Sequence, residues 1–79
     1  STTLVKEGAV SERVLVEARS NVDQATGERL AAEASLAEAK AGPIREEIDA
    51  QKANVAAAQA TVNQARLAQS RTQVVATQS

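Results

Sequence analysis

The stretch Ala41-Gly42-Pro43-Ile44-Arg45-Glu46-Glu47-Ile48 decides the fold of this chain. Glycine is common at the end of one helix, and proline is common in the first turn of the next. Acidic side chains are also favourable in that first turn, because they interact with the positive end of the helix dipole. The sequence on both sides is rich in Ala, Gln, Glu and Arg, which favour helix. We therefore expect an all-α chain with two helical segments, about 12–41 and 44–71, broken at Gly42-Pro43.

Each segment carries an apolar stripe in alternating steps of three and four residues, which is typical of a coiled-coil seam. The first series is Leu15, Ala18, Val22, Ala25, Arg29, Ala32, Leu36 and Ala39. The second series is Ile44, Ile48, Gln51, Val55, Ala58, Val62, Ala65 and Gln69. We expect the principal seam contacts at Leu15, Val22, Leu36, Ile48, Val55 and Val62. Arg29 is expected to set the register or to extend its charged head into water.

The two stripes are out of register by one residue, and this slip falls at the break. Continuing the first stripe from Ala39 would place Pro43 and Glu46 on the seam, whereas the second stripe uses Ile44 and Ile48. Two geometries stay open. The segments can fold back as a helical hairpin, because helix connections can be as short as two residues, or they can continue as one kinked rod.

The two ends of the chain differ from its middle. Residues 1–10 contain Gly8 and are expected to form a turn, with Ser11 as a candidate N-cap of the first helix. The C-terminal segment is richer in β-branched residues, and it is expected to leave the helix as a short strand or extended chain over residues 72–77.

The composition excludes several classes of function. The chain has no His, Cys, Met or aromatic residue, and its net charge is −1. We therefore expect no enzyme, no cofactor, no metal site and no nucleic-acid binding. Alanine supplies 18 of the apolar residues, so a compact globule is not expected either. The acidic residues Glu46, Glu47 and Asp49 indicate a helix N-terminus rather than a metal site.

The order of these features resembles that of HlyD-like membrane fusion proteins, also called periplasmic adaptor proteins. The residues that carry the resemblance are Leu4, the segment Gly8-Ala9-Val10-Ser11, the stretch from Ala41 to Ile48, and the exit from Leu67 to Ala76. In that family a helical hairpin projects from a lipoyl-like domain, and its tip meets a TolC-like outer-membrane channel. The adaptor couples an inner-membrane transporter to that channel.

The resemblance implies a role for each part of the chain. Residues 1–11 would be the hairpin tip, 12–71 the returning arm, and 72–79 the start of a strand leading to the lipoyl-like domain. The family's tip motif is an Arg, a Leu four residues later and a Ser seven residues after that; Leu4 and Ser11 have this Leu-to-Ser spacing. The implied partner-binding residues at the tip are Leu4, Val10 and Ser11. Thr77 stands where the family's exit usually has proline.

The resemblance also implies partners and a location. The partners would be a TolC-like channel, an inner-membrane transporter of the ABC type and, through the coiled-coil seam, another helical arm or another copy. The protein would act in the periplasm, anchored to the inner membrane, in efflux or secretion. This reading favours the kinked rod, with the pairing arm upstream. The alternative is a generic coiled-coil oligomerisation rod. A lipid-surface helix is disfavoured, because aromatic anchors and a strongly basic face are absent.

Overall fold

The computed structural model is a hairpin of two α-helices, α1 over Thr2–Ala41 and α2 over Arg45–Gln78. The structure describes the backbone of residues 2–78 and the side chains of residues 12–72. The molecule measures 65 Å along its long axis and 14 and 11 Å along the others. Two helices of these lengths placed end to end would extend over roughly 110 Å, so the chain folds back on itself. The all-α prediction is confirmed, and the hairpin rather than the kinked rod is observed.

The reversal is made by Gly42, Pro43 and Ile44, at the predicted break. The Gly42 N–H donates to the Ala39 carbonyl at 3.0 Å and closes the last turn of α1. Proline disfavours the helical conformation in the residue before it, so α1 ends ahead of Gly42. The Ile48 N–H donates to the Ile44 carbonyl at 3.2 Å, which makes Ile44 the first acceptor of α2.

Helix continues at both ends of the chain, where the sequence predicted a turn and a strand. Because α1 begins at Thr2 and α2 continues to Gln78, the turn predicted around Gly8 and the short strand predicted over residues 72–77 are wrong. One interior glycine such as Gly8 costs a helix only about 1 kcal/mol, and extending an existing helix is easy once it has nucleated. The Thr72 hydroxyl donates to the Ala68 carbonyl at 2.9 Å, a local bond that accommodates threonine within α2.

The continuous helix also changes the role expected for Ser11. Ser11 lies inside α1 rather than at its start, so the N-cap prediction for it is wrong. An N-cap side chain bonds the free N–H groups of a first helical turn, and in α1 that turn begins at Thr2.

Gly27 lies at an exposed position in the middle of α1, where a Cβ would meet no atom within 4 Å. We predict that Gly27→Ala raises the free energy of unfolding by about 0.5–1 kcal/mol, because alanine loses less backbone entropy in a helix. Urea unfolding followed by circular dichroism measures this change. The matched variant Ala34→Gly, also exposed on α1, should lower stability by a similar amount. A destabilised Gly27→Ala would mean that α1 needs glycine at this position.

Gly42 does not use the conformational freedom of glycine. Its φ is not positive, and a Cβ there would meet the Ala39 carbonyl oxygen at 3.6 Å, an ordinary contact. We predict that Gly42→Ala keeps the hairpin and stabilises it by about 0.4–1 kcal/mol, because it restricts the unfolded chain. Urea unfolding gives the stability, and small-angle X-ray scattering gives the length of the rod. A loss of more than about 1 kcal/mol would contradict the observed turn geometry.

Candidate functional site

The candidate functional surface is the interface between the two helices, which we call the seam. In α1 every position of the first stripe is buried or half-buried, and in α2 the same holds from Ile48 onward. The seam residues of α1 are Leu15, Ala18, Val22, Ala25, Arg29, Ala32, Leu36 and Ala39. Those of α2 are Ile48, Gln51, Val55, Ala58, Val62, Ala65 and Gln69. The structure therefore brings the principal seam positions, from Leu15 to Val62, together along one interface.

Alanine dominates the most deeply buried part of the seam. Among the described side chains, Ala18, Ala25 and Ala39 are each less than 9% exposed, and Val62 is fully buried. The bond between Arg29 and Gln59 fixes the antiparallel register, in which Ala25, one turn before Arg29, is level with Val62, about one turn after Gln59. A small side chain on one helix thus accommodates a larger one on the other, which lets the helix axes approach closely.

Ile44 is the one seam prediction that the structure places in solvent. Its side chain is 52% exposed, so its assignment to the second stripe is wrong. Ile44 lies in the reversal, one residue before α2 begins. A residue belongs to a heptad stripe only if it lies within the helix. The buried stripe of α2 therefore begins at Ile48.

A polar group interrupts the apolar seam at the middle of α1. The Arg29 side chain is 22% exposed. Its Nη1 donates to the Gln59 Oε1 across the interface at 3.5 Å, and its Nε lies 3.6 Å from the Glu33 Oε1 on the next turn. The Gln59 Nε2 in turn donates to the Asn63 Oδ1 at 3.0 Å. We call Arg29, Glu33, Gln59 and Asn63 the polar layer.

Gln59 was not among the residues that the sequence singled out. It follows the seam residue Ala58 and is half-buried, whereas most residues outside the two stripes are exposed. Only Arg29 on the other stripe indicates that a polar residue such as Gln59 is needed. A charged residue on one apolar stripe requires a polar partner on the facing helix, but the facing position becomes known only when the reversal and the register are fixed.

The residues predicted to form a tip, Leu4, Val10 and Ser11, lie on the first turns of α1. Their side chains fall outside the described part of the chain. The reversal at Gly42–Ile44 lies at the opposite end of α1. The structure therefore places these residues at the open end of the hairpin and not at its turn.

The outer surface carries scattered large apolar side chains and many charges. Val16, Leu30 and Leu67 are each more than half exposed. Glu46 and Glu47 occupy the first turn of α2, where the helix dipole favours them. Over the described residues no group of three or more His, Cys, Asp or Glu is arranged to hold a metal ion. Neither helix has, in its described part, an apolar stretch long enough to cross a bilayer.

Comparison with known proteins gives no relative from which a function can be transferred: no family model, no curated protein and no solved structure matches the chain.

Val62 tests how much of the stability comes from the seam. We predict that Val62→Ala lowers the free energy of unfolding by about 2 kcal/mol, because it removes two fully buried methyl groups and leaves a cavity. The same substitution at Val16, which is 64% exposed, should change stability by less than about 0.5 kcal/mol. Thermal unfolding of both variants measures the difference. Equal effects would show that the seam does not hold the hairpin together.

Proposed function

We propose that the chain is a hairpin segment of a periplasmic adaptor that links an inner-membrane transporter of the ABC type to a TolC-like outer-membrane channel. The observation that carries this proposal is the narrow rod of 65 Å, built from two helices with an alanine-rich seam. Such a rod can span a distance and present a surface at its end. The spacing of Leu4 and Ser11 supplies the resemblance that favours an adaptor among rod-like proteins.

The proposed mechanism is mechanical coupling without catalysis. The seam holds the two antiparallel helices together along the rod, so a force or a displacement at one end reaches the other. The open end of α1, with Leu4, Val10 and Ser11, is the proposed docking element for the channel. Positions 4 and 11 are seven residues apart, which is two turns, so they share one face of α1.

The seam also determines which kind of helix could pair with α1 in place of α2. In the adaptor family that the sequence resembles, the returning arm pairs with an upstream arm. In this structure α1 pairs with α2. The same α1 stripe faces the partner in both arrangements. Pairing with an upstream arm or another copy would therefore exchange α2 for an equivalent helix, and it would uncover Val62 of α2, which is fully buried in the hairpin.

A generic oligomerisation rod is the second candidate, and one observation favours it. The reversal lies at Gly42–Ile44, so the seam is already paired within the chain and the predicted tip is not at the turn. A rod of this kind needs no docking residues at Leu4 or Ser11. The two candidates therefore differ in the role of the open end of α1.

The test is Leu4→Asp in the complete protein encoded by the gene, expressed in its native cells. We expect export to be lost and co-purification with the outer-membrane channel to fall about tenfold or more. A carboxylate buried in an apolar contact costs more than the ~1.4 kcal/mol that corresponds to a tenfold change in affinity. Helix content by circular dichroism should remain unchanged.

Leu30→Asp is the matched control, because Leu30 lies on the same helix and is 54% exposed. This variant should retain both export and channel association. If Leu4→Asp behaves like Leu30→Asp, the open end of α1 has no docking role and the oligomerisation rod becomes the better account. If both variants lose helix content, the loss of export is explained by unfolding, and Leu4→Ala replaces Leu4→Asp as the deciding variant.

A further inference from the structure

Arg29 is the one charged residue of the seam, and its surroundings leave it incompletely bonded. Its Nη1 reaches the Gln59 Oε1 at 3.5 Å, which is a long hydrogen bond. Its Nε is buried and donates no hydrogen bond within the described residues, although the Glu33 carboxylate lies 3.6 Å away. The oxygen of Gln59 is therefore what the facing helix contributes to the bonding of this guanidinium.

Arg29 restricts which residue the partner helix can place opposite it. The guanidinium has five N–H donors, no acceptor and a permanent positive charge. An apolar residue opposite it would leave donors without a partner in a half-buried place, and a cation opposite it would add repulsion. An amide oxygen satisfies it, and a carboxylate would bind it more strongly, because the bond would then be charge-assisted.

We infer that Arg29 determines which helix the α1 seam accepts: the partner helix must place an amide or carboxylate oxygen level with Arg29. In this chain α2 meets that requirement with Gln59. The remaining seam residues of α1 are apolar and accept any helix with a matching apolar stripe, so they supply attraction but little discrimination. This inference depends on the hairpin and not on the adaptor function proposed above.

Asn63 acts on Gln59 as a positioning residue. The Gln59 Nε2 donates to the Asn63 Oδ1 at 3.0 Å along α2. This bond uses the NH₂ group of the amide and leaves its oxygen directed toward Arg29. The facing helix thus presents an acceptor that is already oriented, and less side-chain freedom is lost when the two helices pair.

The test is a series of substitutions at residue 59 in the full chain. Glu, Gln, Leu and Lys have nearly the same intrinsic helix propensity, so the series changes mainly what Arg29 meets. We expect the Tm of Gln59→Glu to equal or exceed that of the parent chain. For Gln59→Leu we expect a fall of about 4–8 °C, the shift that about 1 kcal/mol produces in a domain of this size, because Arg29 then has no acceptor on the facing helix. Gln59→Lys should fall further.

The same substitutions at Gln64 provide the matched control. Gln64 is an exposed residue on the same helix, so Gln64→Glu, Gln64→Leu and Gln64→Lys should unfold within a few degrees of one another. If the variants at residue 59 show as little spread as those at residue 64, or if Gln59→Leu is the most stable of them, then Arg29 does not select its partner and the inference is overturned.

A double-mutant cycle separates Arg29 from the other contacts of Gln59. Gln59→Leu also removes the bond to Asn63, but it does so equally in the parent chain and in the Arg29→Leu background. We expect Gln59→Leu to lower Tm in the parent chain and to leave it unchanged or raise it beside Arg29→Leu. Equal losses in both backgrounds would assign the effect to Asn63 and refute a role for Arg29. None of these outcomes depends on export, so the result is independent of the Leu4 test.

Discussion

The close contact of two alanine-rich helix faces is the interaction on which the rest of this structure depends. Alanine costs no side-chain entropy when it is buried and lets two backbones approach, but each residue removes little apolar surface from water. Among the described side chains only Val62 is both large and fully buried. The hairpin therefore gains its stability from the length of the seam and not from a local core, and a break in either helix would shorten the whole contact.

The sequence predicted the seam and the place of the break because both are local properties. A stripe such as Leu15 to Ala39 depends only on helical periodicity, and Gly42-Pro43 ends a helix through the steric restriction that proline imposes. The direction of the chain after the break is not local. A kinked rod and a hairpin use the same residues at the turn, and the hairpin is favoured because it covers both apolar stripes at once.

The two ends of the chain are helical against the local preferences of their residues. Gly8, Ser11 and the β-branched residues from Thr72 onward favour turn, N-cap or strand by only about 1 kcal/mol each or less. A long helix that is already formed outweighs preferences of that size. Gln59 is not predictable from its own segment, because its role comes from Arg29 on the other helix, 30 residues away in sequence. The docking role proposed for the tip residues depends on the spacing of Leu4 and Ser11, because the side chains of residues 1–11 lie outside the described part of the chain.

The reversal at Gly42–Ile44 also sets the order in which the hairpin closes and opens. Seam residues next to the turn, such as Ala39 and Ile48, are close in sequence and lose little chain entropy when they meet. Leu15 lies toward the other end of α1, so most of the chain separates it from the part of α2 at its level, and pairing there becomes favourable only after the nearer pairs have formed. The two helices therefore pair progressively, starting from the turn. Thermal opening begins at the far end, so that is where a competing helix would first find exposed seam.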